Sequence, residues 1–537
     1  MTELADRTGT AMVDDTVAPE RRRPTGLAAQ LARPGTRDGL GLAGTVLALA
    51  FLWGRGRHVW YWIDEGISIG ISSHPLTRIP GLLRHDGAPP LYYALLHFWI
   101  RAFGTSESAT HSLSLAFALA VVPVALWAGW SLFGRRAGWI AVGLVALNPF
   151  IGFYANETRM YTLVVLLGFA ATALFLHAIV FGRRQYLPGL AVCVAFLLYT
   201  HNWALFVALA MGVAVLVRAA LQPDRATRQR TVVDGLLALG GAALLYVPWL
   251  PTLAYQLVHT GAPFSLRPTL LVVRGDLMSL FGGPDVVIVV GLACGVAFMD
   301  VVRPPWDGRA VAVIATTSLV VVVVAVGWMI SRNNSVWVYR YLAVVVGPII
   351  LIVAVGLSQA GRFGVVALGV VFLLSVPVGI KGQLFDKSNV ADVAAKLGPG
   401  LGPGDLVMSD FGRLPVLAHY LPGGLAYAET IGPVLDPLLS DQRNATRRLR
   451  KALPGVTLAP SLDSLAPGQH VLVVCSAGPA SLDATQFLQL NVDRCQEALD
   501  LPEHDARFRL DATVTPASLG FNPVEAHLFT RVASPGG

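Results

Sequence analysis

Between Trp60 and Tyr93 the chain opens Trp60-Tyr61-Trp62-Ile63-Asp64-Glu65-Gly66 and closes His85-Asp86-Gly87-Ala88-Pro89-Pro90-Leu91-Tyr92-Tyr93. Asp64 and Glu65 are adjacent acids set beside three aromatic residues. A carboxylate held near a proton donor and partly shielded from water can serve as a general base. Adjacent side chains point in different directions, so the pair divides into one base and one group that orients its neighbours or binds a metal. The plain alternative is two solvated loop acids. Against it stands their place just after an apolar segment, where charged groups are expensive unless wet, paired or used. His85, Asp86 and Tyr92 belong to the same stretch and are candidate substrate-binding residues.

Two further clusters carry charge between apolar segments. Asn156-Glu157-Thr158-Arg159 lies inside a short run from Tyr154 to Tyr161. Glu157 and Arg159 either pair with each other or form a second wall of a cavity. Val338-Tyr339-Arg340-Tyr341 forms the third cluster. A guanidinium gives paired charge-assisted hydrogen bonds to phosphate, and an arginine between tyrosines is also an ordinary interfacial anchor. His201 and Asn202 sit between two apolar segments, where a lone histidine is commonly a satisfied structural residue. A divalent cation is compatible with such acids, yet no His-x-x-x-His and no cysteine pair at ligand spacing is present.

The elements that must position these residues are apolar. The chain of 537 residues is 54% hydrophobic and 14% charged, with mean hydropathy +0.60. A soluble domain carries about 25% charged residues. This composition gives an α-helical polytopic membrane protein. The formal charge of +7 does not signify nucleic acid, because the arginines cluster between apolar segments as the positive-inside rule requires.

Residues 1–37 read as a disordered cytoplasmic terminus, with Arg21-Arg22-Arg23 as the first orientation signal. About eleven spans are expected: Leu40–Trp53, Ala109–Phe133, Gly138–Phe153, Tyr161–Phe181, Leu187–Thr200, Trp203–Leu221, Val232–Leu250, Val286–Val302, Ala310–Ile330, Leu342–Leu357 and Val365–Ile380. Pro89–Phe103 is read as flat or re-entrant, since only then do the basic runs at Arg135-Arg136, Arg183-Arg184 and Arg225 to Arg230 all lie inside. The amino end is then cytoplasmic, and the outward-facing loops, Arg55–Glu107, Tyr154–Met160, His201–Asn202, Pro251–Pro284 and Ser331–Tyr341, hold nearly every candidate residue. The membrane domain covers 38–380. From Lys381 to residue 537 the composition changes, and strand-like runs at Leu406–Met408 and His470–Cys475 with flanking helical patterns near Val390–Leu397 and Arg443–Leu453 give a small extracytoplasmic α/β domain. Cys475 and Cys495 lie in that domain and can pair if it is outside the cell.

The ordered set resembles the glycosyltransferase-C superfamily, in particular its protein O-mannosyltransferase and aminoarabinose transferase branches. It consists of Asp64-Glu65, His85 to Tyr93, Tyr154-Ala155-Asn156-Glu157-Thr158-Arg159-Met160-Tyr161 and Arg340-Tyr341-Leu342. The usual His-Pro-Pro is here interrupted as His85-Asp86-Gly87-Ala88-Pro89-Pro90. The resemblance covers about residues 40 to 380. It implies transfer of a mannose- or arabinose-like sugar from a polyprenyl-phosphate donor to a hydroxyl of a glycan, glycolipid or protein at the outer face of the bilayer, with inversion and with Asp64 as base. Residue chemistry agrees: a cation must stabilise the phosphate leaving group and a carboxylate must take the hydroxyl proton. A covalent intermediate would need a second carboxylate, for which Glu157 is available. The other classes are a transporter or flippase of lipid-linked sugars, which would place acids in mid-span and show repeats, and a non-catalytic scaffold for envelope assembly.

Overall fold

The computed structural model describes residues 35–302, 304, 306–334, 336–383, 386–478, 484–517 and 522–533. The amino-terminal segment expected to be disordered lies, up to residue 34, outside the described residues. Each of the eleven expected apolar segments is helical. Among the described residues five helices are long and apolar enough to cross a bilayer: Glu107–Phe133, Tyr161–Val180, Arg225–His259, Gly308–Asn334 and Tyr339–Gln359. A sixth span is formed if the pair Leu270–Ser279 and Pro284–Gly295, bent by 79°, is taken as one.

The number expected from sequence exceeds this because several segments are short or broken. Gly138–Phe153 becomes two helices, Arg135–Ala146 and Pro149–Tyr154. The break falls at Asn148, whose side-chain oxygen accepts from Ile151 N–H at 3.0 Å, ahead of a proline with no N–H to donate. The segment at Leu187–Leu198 is only 12 residues long, and Ala204–Ala220 is 17. Leu91–Phe103 has 13 residues, about 20 Å of helix against a hydrocarbon core of about 30 Å, too short to cross. The segment Pro251–Pro284, expected to be an outer loop, continues as helix to His259 and holds a further helix at Leu270–Ser279.

The carboxyl-terminal domain is a six-stranded sheet in the order β3-β2-β1-β4-β6-β5. Its strands are β1 (Leu406–Ser409), β2 (Ala426–Glu429), β3 (Gly432–Val434), β4 (His470–Ser476), β5 (Phe508–Val514) and β6 (Val524–Arg531). β1 runs parallel to β2 and β4, and β3, β5 and β6 pair antiparallel. Both expected strands are therefore the central parallel ones, whose apolar residues are buried on both faces. Val471 and Val473 pack with Leu499 and Phe529. Leu472 and Val474 face the other way, toward Val390, Val393 and Leu417. Cys475 is bonded to Cys495.

That second face also takes Tyr61 and Ile69 from the acidic stretch. The acids are not on a loop: Ile63–Ser73 is a helix, with Asp64 and Glu65 in its first turn, where the helix dipole favours carboxylates. Gly66 and Gly70 let the sheet domain dock on it. A Cβ on Gly66 would lie 2.6 Å from Val416 N, and one on Gly70 would lie 1.9 Å from Leu438 O. The Tyr420 hydroxyl accepts from Tyr61 N at 2.9 Å and donates to Glu107 at 2.7 Å. His74 Nε2 meets Asp436 at 2.9 Å. The helix that bears the acids is thus clamped between membrane domain and sheet domain.

Candidate functional site

Successive residues of a helix project about 100° apart, and Asp64 and Glu65 accordingly enter different surroundings. Glu65 is fully buried. Its Oε1 accepts from His111 Nε2 and from Thr158 N–H, each at 2.7 Å. Its Oε2 lies 3.2 Å from Lys387 Nζ. Lys387 also donates to Asn156 O at 2.9 Å and stands 3.4 Å from Glu157 Oε2. One ammonium therefore serves two buried carboxylates. Burial opposes ionisation of Glu65, but Lys387 and His111 outweigh it and hold the carboxyl below its usual range. For Glu157 burial dominates; Lys387 offsets part of it, and the Glu65 charge adds to it, so its carboxyl is pushed up. Glu157 Oε1 is buried with no hydrogen-bond partner among the described residues.

Asp64 keeps 18% of its side chain accessible. Its Oδ2 lies 2.8 Å from Arg340 Nη2 and 3.9 Å from Arg159 Nη2. The Arg340 guanidinium sits among the rings of Trp62, Phe264 and Tyr161 at 5.4, 5.7 and 6.0 Å, which attract a cation through their faces. Arg159 Nη1 donates to Ser68 Oγ at 3.0 Å, to Asp64 O at 3.3 Å and to the Tyr93 hydroxyl at 3.4 Å. The Tyr93 hydroxyl in turn reaches Asp86 Oδ2 at 3.5 Å. Asp86, Tyr93, Arg159, Asp64 and Arg340 so form one continuous polar line. Burial pushes the Asp86 carboxyl up to about 6, with Arg159 opposing and Asp64 reinforcing.

The remaining expected residues surround this line at varying distance. His201 stacks edge-on against Tyr341 with ring centroids 4.7 Å apart and accepts from Trp203 N–H through Nδ1 at 3.1 Å. Burial, aided by Arg159 and Arg340, pushes its pKa down to about 3, so it stands as a neutral aromatic wall. Asn202 donates to Gly87 O at 3.0 Å, fixing the end of the Asp86 helix. Tyr92 turns away to Ser114, 3.3 Å from its hydroxyl, and it is Tyr93 that joins the polar line. His85 lies at the sheet-domain side, where its carbonyl accepts from Gln442 N–H at 3.1 Å. Sequence reasoning passed over Lys387, His111 and Ser68, and named Tyr93 only as the end of its motif. Lys387 is a lone basic residue just past an apolar segment, and His111 is a lone histidine within one. Neither sits in a motif.

Among the described residues no group of three or more His, Cys, Asp or Glu side chains is arranged to hold a metal ion. An apolar cleft of about 490 Å³ opens between Asn148, at the start of the short helix that precedes the 156–158 turn, and Val273, Leu277, Phe281, Ile349 and Val353.

No protein family model matches the chain, and no curated protein matches it. Solved structures do. In fold, the helical domain with the sheet domain packed on the Asp64 helix is similar to these. The apo crystal structure of ArnT from Cupriavidus metallidurans matches with a TM-score of 0.60 and 13% identity, over 93% of this chain and 99% of that one. ArnT bound to undecaprenyl phosphate matches with a TM-score of 0.59 and 14% identity, over 94% and 100%. The arabinofuranosyltransferase AftD from Mycobacteria gives a TM-score of 0.53 at 14% identity, with 94% of this chain covering 42% of that longer protein.

Proposed function

We propose that this protein transfers a sugar from a polyprenyl-phosphate donor to a hydroxyl acceptor at the outer face of a membrane. The observation that carries the reading is the convergence of Arg340 and Arg159 on the accessible carboxylate Asp64, within a fold whose ArnT representative is crystallised with undecaprenyl phosphate. In this reading the lipid phosphate enters between the two guanidinium groups, and the isoprenoid chain takes the apolar cleft lined by Phe281 and Ile349. The phosphate takes Arg340 as its partner and releases Asp64. Asp64 then accepts the acceptor hydroxyl proton as the hydroxyl oxygen attacks the anomeric carbon. The carbon–oxygen bond to phosphate breaks, and the leaving lipid phosphate keeps the electron pair beside Arg340 and Arg159.

A single displacement of this kind inverts the anomeric centre. Support comes from Glu157, the other carboxylate that could form a covalent intermediate, which is buried against Lys387. The sugar is of the mannose or arabinose kind, and the acceptor is a glycan, glycolipid or protein of the cell envelope. The amino end is cytoplasmic and the sheet domain extracytoplasmic, a placement supported by the arginine clusters and by the Cys475–Cys495 disulfide. The test is transfer by purified protein from synthetic polyprenyl-phosphate sugars, with mass spectrometry of envelope glycans made with and without the protein. Release of polyprenyl phosphate with an inverted product is expected. Unchanged glycans together with no transfer from any donor would overturn the reading.

A further inference from the structure

We propose that Lys387 is a positioning residue of the catalytic centre, and that the linker carrying it sets the sheet domain and the Asp64 helix in one register. The inference rests on the transferase reading above for its kinetic arm only.

The geometry is specific. Lys387 follows the last apolar helix, Arg362–Gln383, and precedes the first helix of the sheet domain, Val390–Leu397. Its side chain turns back into the membrane domain and is buried. There Nζ joins three groups on two separate elements: Glu65 Oε2 at 3.2 Å, Asn156 O at 2.9 Å and Glu157 Oε2 at 3.4 Å. Two residues on, Asn389 fastens the same linker to the sheet. Its Nδ2 donates to Val524 O at 2.8 Å, and its Oδ1 accepts from Val524 N–H at 2.7 Å. Lys387 thus grips the Asp64 helix through Glu65 and the 156–158 turn, while Asn389 grips strand β6.

Removing the ammonium leaves Glu157 without its counter-ion and Glu65 with His111 alone at a buried site. A buried carboxylate without its partner is strongly unfavourable, so one group must take a proton or move. Either response shifts the Thr158 N–H to Glu65 bond, and with it the turn that carries Arg159. Arg159 and the first helical turn are what place Asp64. A packing role and a charge-balance role differ in one respect. If Lys387 only fills space, deleting the second carboxylate cannot compensate for its loss. If it balances charge, removing the Glu157 charge restores the arrangement.

The experiment uses the full-length protein in lipid nanodiscs and compares wild type, Lys387→Met and Lys387→Met/Glu157→Gln. Transfer kinetics and hydrogen exchange of the peptide spanning 156–158 are both followed. Lys387→Met is expected to lower kcat about a hundredfold, as small misplacements of catalytic groups do. Its donor KM should move by less than about twofold, since no donor contact is lost. Exchange at 156–158 should rise. The double variant should regain at least about tenfold in kcat and recover protection. Wild-type kcat and protection in Lys387→Met would overturn the proposal, as would a double variant impaired as deeply as the single one in both readouts. If Lys387→Met alone fails to fold, a folded and protected double variant supports the proposal, and failure of both overturns it. If wild-type protein transfers no sugar at all, the functional reading falls and the exchange arm decides the role of Lys387 by itself.

Discussion

Asp64→Asn separates the two tasks of the site more cleanly than any other change. The substitution keeps the shape of the side chain and removes its charge and its capacity to accept a proton. Two effects follow in opposite directions. Loss of general-base assistance is typically worth about 10²–10⁴-fold in turnover. The second effect concerns the donor. In the resting protein Asp64 Oδ2 stands 2.8 Å from Arg340 Nη2, a gross attraction of about 6 kcal/mol at an effective dielectric constant of about 20. Most of that is offset by the desolvation of both groups. A donor phosphate must take Arg340 from this pair. Relief of even about 1 kcal/mol of competition tightens the donor about fivefold. The expected signature is therefore a kcat lower by at least about a hundredfold with a donor KM that is unchanged or lower. The assay is steady-state transfer from a synthetic polyprenyl-phosphate sugar, with donor affinity measured separately by titration and folding checked by thermal melt. Wild-type turnover in Asp64→Asn would refute the assignment of the base. A donor affinity that falls tenfold or more would refute the competition between Asp64 and phosphate for Arg340.

Other expectations follow from particular contacts. Glu65→Gln removes the charge that Lys387 and His111 share, and breaking such a buried set costs about 3 kcal/mol; a thermal melt should show it clearly less stable than Asp64→Asn, and equal stability of the two would refute the structural role of Glu65. Gly70→Ala places a Cβ 1.9 Å from Leu438 O; overpacking of about 1–3 kcal/mol should loosen the sheet domain, read as faster proteolysis of the 435–445 segment, and unchanged protection would show that the docking tolerates displacement. Asp86 is raised from the ordinary 3.8 to about 6, so between those values the folded protein binds more protons than the unfolded chain, and stability contributed by this group falls as pH rises through that window. Asp86→Asn should remove that slope and raise the melting temperature at pH 7, and a lower melting temperature would contradict the burial penalty. Arg340→Ala should weaken donor binding more than Arg340→Lys, since the ammonium keeps the charge but loses the fork; equal, unchanged affinities would reduce Arg340 to an anchor.

The sequence by itself determined the membrane class, because 54% hydrophobic and 14% charged residues cannot be hidden in a soluble core. It determined the helical segments, whose apolar runs persist regardless of neighbours. It also determined strands β1 and β4, since central parallel strands are buried on both faces and read as continuous apolar runs. Strands β2, β5 and β6 escaped notice because their burial is partial and mixed along their length. The acids were legible as residue types but not as parts of a helix, because Ile63–Ser73 carries Gly66 and Gly70 in its interior. Glycine there disfavours helix locally; only the close approach of Val416 and Leu438 explains the absence of a side chain. The division of labour between Asp64 and Glu65 was beyond the sequence for the same reason. Adjacent residues differ by a turn of about 100°, and which one meets His111 and Lys387 and which meets Arg340 depends on segments far apart along the chain. Lys387 carries no local signal at all, since a single lysine after an apolar helix is commonplace at a membrane surface. What gives it a partner is the return of the linker into the membrane domain, and only tertiary packing, which desolvates the ammonium and both carboxylates together, turns that lysine into part of the site.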